Sequence, residues 1–243
     1  MKNNNKFRLD VWGAITLGTI ALYALFLLYP MAYLIRQSVL DPDTGSFTLA
    51  YFTKFFSKSY YFDTLINSFK VSITATVLSI AIGTPLAYLF TIFKIKGKSV
   101  LNILIVVASM SAPFIGAYSW ILLLGRSGVI TTFFKNLGIA IPDIYGFGGI
   151  VLVMTLQLFP LVFLYAKGAL KNIDNSLIEA AENLGCSGIA CFFKVVVPLI
   201  MPTLLAAALL VFMRSFADFG TPMLIGEGYR TFPVVLYTEF INE

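Results

Sequence analysis

The sequence predicts an all-α integral membrane protein, a polytopic helical bundle, on three observations. Hydrophobic residues make up 58% of the 243 and charged residues only 12%, against about 45–50% and about 25% in a soluble domain. Mean hydropathy is +0.87. The few charges are also spaced so that five long stretches contain none: 11–35, 71–93, 99–125, 144–166 and 195–213. Crossing about 30 Å of hydrocarbon takes roughly 20 helical residues. Five transmembrane helices are therefore expected at 12–34, 71–93, 100–124, 146–166 and 195–215. Helix is the only reading of these runs, because lipid offers no partner to an unpaired backbone group. Barrel strands would be about 10 residues long and alternating.

The same figures exclude other classes. A soluble enzyme, a disordered chain and a nucleic-acid binder all need more charge. The net charge of +5 comes from 17 basic and 12 acidic residues scattered between apolar blocks, which is no basic face. Histidine is absent, removing the commonest general base and metal ligand. Cys186 and Cys191 match neither a zinc site nor a disulfide framework, so no metal site is expected.

The first span is read as an uncleaved anchor, since its apolar run outlasts a signal-peptide core and no A-x-A site follows. After it, Asp41-Pro42-Asp43 and Gly45 mark a turn. The aromatic run at 51–62 is either an interfacial helix or a short packed segment. The tight turn at 93–99, between the second and third spans, carries Lys94, Lys96 and Lys98. With the N-terminus inside, the inner segments hold nine basic and four acidic residues and the outer ones seven and eight. The positive-inside rule thus puts the N-terminus and this turn in the cytoplasm. Gly97-Lys98-Ser99 imitates the end of a phosphate-binding loop, but Ile92 stands where that motif needs glycine. No ATP-hydrolysing site is expected.

The inner loop after the fourth span spends about 28 residues on a return that needs a handful. It reads as helix, break, helix. Asp174 or Asn175 caps a helix at 176–184, Gly185 ends it, and Ser187 starts another. Leu177, Ala180, Ala181 and Leu184 form one apolar stripe. Pro198 falls where the chain enters the fifth span. A small, acidic helix on the cytoplasmic face suits another protein's groove; the alternative is a helix resting on lipid.

Glu179-Ala180-Ala181, three residues, Gly185, nine residues, Val195, one residue, then Val197-Pro198 closely resembles the EAA motif of binding-protein-dependent ABC importer permeases. Valines replace the family's Ile and Leu at 195 and 197. Asn67-Ser68 and the run Gly83-Thr84-Pro85-Leu86-Ala87-Tyr88 resemble the start of the same domain. FADFGTPMLIG at 216–226 resembles the ferric-iron group, whose near relatives handle polyamines, thiamine and aminoethylphosphonate. The resemblance implies an anchor and outer segment at 1–64 and a type I importer transmembrane domain at 65–243.

That resemblance further implies a bacterial inner-membrane permease subunit that is not itself an enzyme and binds no cofactor. A cytoplasmic ABC ATPase dimer would use the ATP and dock on Glu179, Ala180, Ala181, Leu184, Gly185, Val195, Val197 and Pro198. The other implied partners are an extracytoplasmic substrate-binding protein, a second permease domain and the lipid bilayer. Ferric iron is the expected cargo. A secondary transporter is the competing class, but it would tend to carry an ion-coupling carboxylate within a span, and none of the five stretches has one.

Asn67, Ser111, Tyr118, Gln157 and Asp218 are pathway candidates, with Asn102 and Ser109 also at membrane depth. Asp218 is expected to pair with Arg214 at i, i+4 or to face a cationic cargo. Pro113 and Gly116 should loosen the third helix. Because the family domain has another span after the outer segment at 217–243, the sequence is expected to be a fragment or one half of a longer permease.

Overall fold

In this computed structural model, residues 11–42, 44–93, 96–110, 112–139 and 142–242 are described. Among them there is no strand, only an isolated bridge between Leu40 and Phe47. By contacts the chain divides into residues 1–62 and 63–243.

In the first unit, α1 (Val11–Tyr23) passes through a π-turn (Ala24–Leu28) into α2 (Tyr29–Val39). The Tyr29 amide reaches back five residues to the Ala24 carbonyl, immediately before Pro30. Proline lacks an N–H and its ring clashes with the carbonyl four residues back, and one wide turn relieves both. No residue of this 29-residue helix is buried. A turn follows in which the Gly45 amide bonds the Asp41 carbonyl, with Gly45 at φ +66°. The aromatic run is helical, as α3 (Ala50–Ser57) and the start of α4 (Ser59–Ile92). Phe55 and Tyr61 stack at 5.6 Å.

The second unit is built around α4 and α8 (Phe147–Lys171). The buried face of α4 is mostly small: Thr64, Ser68, Ser72, Ala75, Thr76, Ser79, Gly83, Thr84 and Ala87. Small residues let membrane helices approach closely, and dispersion then replaces the hydrophobic effect that lipid cannot supply. Two of the hydroxyls are satisfied inside the helix, Ser68 donating to the Thr64 carbonyl and Thr76 to the Ser72 carbonyl, whereas those of Ser79 and Thr84 are buried without a partner. One core cluster joins Ala87 and Phe90 to Val162, Phe163 and Ala166 and to Val196, Ile200 and Leu204. The other joins Val71 and Ala75 to Ala117, Ile150, Met154 and Ile225.

The span expected at 100–124 is not continuous. It is divided into α5 (Lys98–Ser109) and α6 (Pro113–Leu124), each of 12 residues. Pro113 opens α6 from an extended Ala112, because proline disfavours helical geometry in the residue before it. At about 18 Å each, neither piece spans the hydrocarbon alone. The short α7 (Val129–Asn136) follows Gly128. Arg126, in the turn between α6 and α7, bonds Asp143 at 3.1 Å and Glu227 at 2.8 Å and lies over the Tyr145 ring.

Beyond α8 come α9 (Asn175–Asn183), α10 (Gly188–Cys191), a second π-turn (Phe192–Val196) and α11 (Val197–Phe216). Helix therefore begins at Gly188 rather than 195, and Pro198 does not mark an entry break. The Val197 amide reaches the Phe192 carbonyl, so the π-turn absorbs Pro198 as the first absorbs Pro30. The chain ends in α12 (Gly220–Ile225) and α13 (Phe232–Asn242). Among the described residues, five helical stretches are long and apolar enough to cross a membrane: Val11–Val39, Ser59–Ile92, Pro113–Asn136, Phe147–Lys171 and Gly188–Phe216.

A Cβ on Gly83 would lie 2.8 Å from the Phe159 carbonyl oxygen and 2.8 Å from the Val162 Cβ, whereas one on Gly168 meets nothing. Gly83→Val should destabilise the purified protein by about 1–3 kcal/mol, as overpacking does. Gly168→Ala should be neutral or slightly stabilising. Thermal unfolding of the two variants in detergent checks both.

Candidate functional site

Two regions bring the expected residues together, one at each end of the 188–216 helix. The first is the loop around α9. Asp174 supplies the cap, its Oδ1 accepting from the Ser176 amide at 3.0 Å. Hydrogen bonds from the Ser176 amide and hydroxyl hold the Asp174 carboxyl below its ordinary pKa. At the other end Gly185 has φ +84° and the Cys186 amide returns to the Ala181 carbonyl at 3.0 Å, a Schellman closure. A Cβ on Gly185 would meet open space. Glycine is thus needed there for its left-handed backbone, not for room.

Most of the stripe expected on this helix faces away from its own chain, with Ala181 alone of the four half-buried. Leu177, Ala180 and Leu184 are exposed, Leu184 at 90%, and Glu179 is exposed beside them. The anchoring residue is Ile178, which sequence reading passed over; with Ile173 it packs on the core cluster of α8 and α11. Ile189 is also 79% exposed. The second half of the motif lies on the 188–216 helix itself. Val195 falls in the π-turn, Val197 packs on the core beside the fully buried Val196, and Pro198 is exposed.

The second region is a cavity of about 500 Å³ where α5, α6, α8 and the α11–α12 corner meet. Gln157 and Asp218 line it, as do Ser109, Phe114 and Arg214. The Gln157 Nε2 is buried without a hydrogen-bond partner, leaving an amide donor for a ligand or water. Ser109 donates back to the Val106 carbonyl.

Asp218 does not pair with Arg214. Helix α11 stops at Phe216, so the i, i+4 spacing no longer places the two side chains one above the other. The carboxylate instead caps α12. Its Oδ1 accepts from the Gly220 amide at 2.9 Å and the Thr221 amide at 3.3 Å, and its Oδ2 from the Thr221 hydroxyl at 2.7 Å. Burial pushes its pKa up, and these hydrogen bonds oppose the rise.

The remaining candidates lie elsewhere. Asn67 donates to the Arg230 carbonyl at 3.2 Å, and the Phe232 amide donates to Ser68 at 2.8 Å, so this pair ties α4 to the start of α13. Tyr118 is 57% exposed on α6 and does not line the cavity. Ser111 lies outside the described residues.

Comparison with known proteins gives a consistent picture. The family described as "Binding-protein-dependent transport system inner membrane component" matches residues 46–241. The putative ferric transport system permease protein FbpB 1 of Haemophilus influenzae is 28% identical over 220 residues, covering 90% of this chain and 34% of that protein. The spermidine/putrescine transport system permease protein PotB of the same organism is 28% identical over 232 residues, covering 92% and 79%. The chain thus spans about a third of the length of the ferric relative and most of the polyamine one. A chain of the bacterial alginate ABC transporter, solved with an alginate pentasaccharide-bound periplasmic protein, superposes with a TM-score of 0.74 at 16% identity. That match covers 96% of this chain and 83% of the other, and it shows the fold.

Removing the cap on α12 should be measurable. Asp218→Ala is expected to cost about 1 kcal/mol, and Asp218→Asn, which keeps an acceptor for the amides, less. Thermal melts of the two variants side by side check the order.

Proposed function

Because the chain belongs to the family of binding-protein-dependent transport system inner membrane components, we propose that it is the permease subunit of an ATP-driven importer, worked by alternating access. Its single strongest support is the α9 loop. An apolar stripe with an adjacent carboxylate faces away from its own chain, on a helix closed by a left-handed glycine and joined to a 29-residue transmembrane helix.

The mechanism follows from stiffness. Two cytoplasmic ATPase subunits close on ATP and carry α9 with them, gripping Leu177, Ala180 and Leu184 and pairing a cation with Glu179. Displacement passes through the Ile178 contact and the bend at Gly185 into the 188–216 helix, which moves as a lever. The lever's far end carries Arg214 and the Asp218 corner beside the cavity. Motion there opens the pathway to a loaded binding protein on the outer side. A second permease domain completes the pathway, and the N-terminus is cytoplasmic. Residues 65–243 form the importer domain and 1–64 an anchor and outer segment.

Ferric iron is the cargo we favour, on the FADFGTP run at 216–222 and the ferric relative. A polyamine is the second reading, favoured by the PotB relative. Thiamine and aminoethylphosphonate follow only from the wider resemblance. Uptake of labelled ferric iron against labelled spermidine, in cells carrying the whole operon, separates the first two.

Gly185→Val forces a β-branched residue to φ +84°, and Glu179→Lys reverses the exposed charge. Both variants should insert normally and lose at least about tenfold in uptake, since the strain and the lost ion pair act at the joint. Vesicle uptake, with membrane abundance as control, checks this. Co-purification of a stoichiometric ATPase subunit with the wild type, weakened by Leu184→Asp, checks the docking face. Its reproducible absence favours a secondary carrier.

A further inference from the structure

A second cavity, of about 360 Å³, lies between the ends of α4, α5 and α8. Lys98, Lys167 and Lys171 line it, together with Ser99, Asn102 and Thr91. No acidic side chain is among its lining residues, and among the described residues none of the three lysines forms an ion pair. Surface lysines ordinarily splay apart into water. Here Lys167 is held inward, donating to the Asn102 Oδ1 and lying 5.4 Å from the Phe163 ring centroid. Like charges gathered in a partly enclosed space repel unless an anion sits among them.

We propose that this cavity binds the phosphate group of an anionic phospholipid of the inner leaflet. The three ammonium groups and the Ser99 hydroxyl supply donors from several directions. Thr91 already donates its proton to the Ala87 carbonyl and offers only lone pairs. The neighbouring surface favours a lipid over free phosphate, because Ile92 and Phe93 at the end of α4 and Leu101 and Leu104 on α5 are exposed apolar side chains. A headgroup in the cavity would lay its acyl chains along them. The leaflet rests on the cytoplasmic orientation proposed above; the cavity and its charge do not.

The test is native mass spectrometry of the delipidated full chain in detergent, titrated with phosphatidylglycerol or phosphatidylcholine of matched acyl chains. Wild type should retain phosphatidylglycerol in clear preference, and inorganic phosphate should compete. Each Lys→Gln change at 98, 167 or 171 should weaken retention about fivefold, while Lys→Arg, which keeps the charge, restores it and shows that the fold is intact. Equal binding of the two lipids, or unchanged binding in the triple Gln variant, overturns the proposal. Binding of inorganic phosphate without any preference for phosphatidylglycerol also overturns it, leaving a soluble anion as the occupant. Loss of lipid once the ATPase is added does so too, since a protein partner then covers the cavity. Labelling Cys186 from either side of sealed vesicles decides the orientation independently.

Discussion

Hydrocarbon offers no hydrogen bond to a peptide group, and nearly everything in this structure follows from that constraint. It makes each apolar run helical. It also restricts irregular backbone to places where the chain can satisfy itself by other means. Ahead of Pro30 and Pro198, a single π-turn keeps the helix unbroken while accommodating a residue with no N–H. Ahead of Pro113 no such turn forms, and the span divides into α5 and α6. Past Phe216 the backbone again leaves the helix, and Asp218 stays to satisfy the first amides of α12.

Helices that satisfy themselves still need a reason to associate, and in lipid that reason is close packing. The small face of α4 supplies it against α8, with Gly83 at the tightest point. Since α8 also packs on α11, the three form a frame with a cavity near each end: Gln157, Arg214 and Asp218 line one, and three lysines the other. The frame is dense between them. The charged groups lining the two cavities gather at helix ends and breaks, where the constraint relaxes, while Gln157 and the small hydroxyls of α4 are among the polar groups held within the helices.

The 188–216 helix connects the two ends. At 29 residues it is roughly 43 Å long, enough to cross about 30 Å of hydrocarbon with about two turns to spare. Its π-turn sits beside the α9 loop and its last turn carries Arg214. The α9 loop and the cavity are therefore joined by continuous helix. In this arrangement α9 is held by Ile178 and Ile173 while Leu177, Ala180 and Leu184 on its outer face stay exposed.

Composition and charge spacing determined that the protein is a helical membrane bundle and roughly where four of its spans lie, and the capping residues determined where α9 begins and ends. Those features depend on local physics: the cost of burying charge, the cap at Asp174 and the left-handed turn at Gly185. Features that depend on what a side chain meets were decided only by the tertiary structure. Sequence periodicity found the stripe on α9, and its small, acidic character suggested an outward face, but not that Ile178 and Ile173 hold the helix to the core, because either face of an amphipathic helix can be the packed one. It placed Asp218 four residues from Arg214 but not the end of α11 between them, since that end is set by the capping contacts of α12. The same limit applies to the convergence of Lys98 with Lys167 and Lys171, residues 69 or more positions apart in the chain. Only helix packing brings them to one cavity.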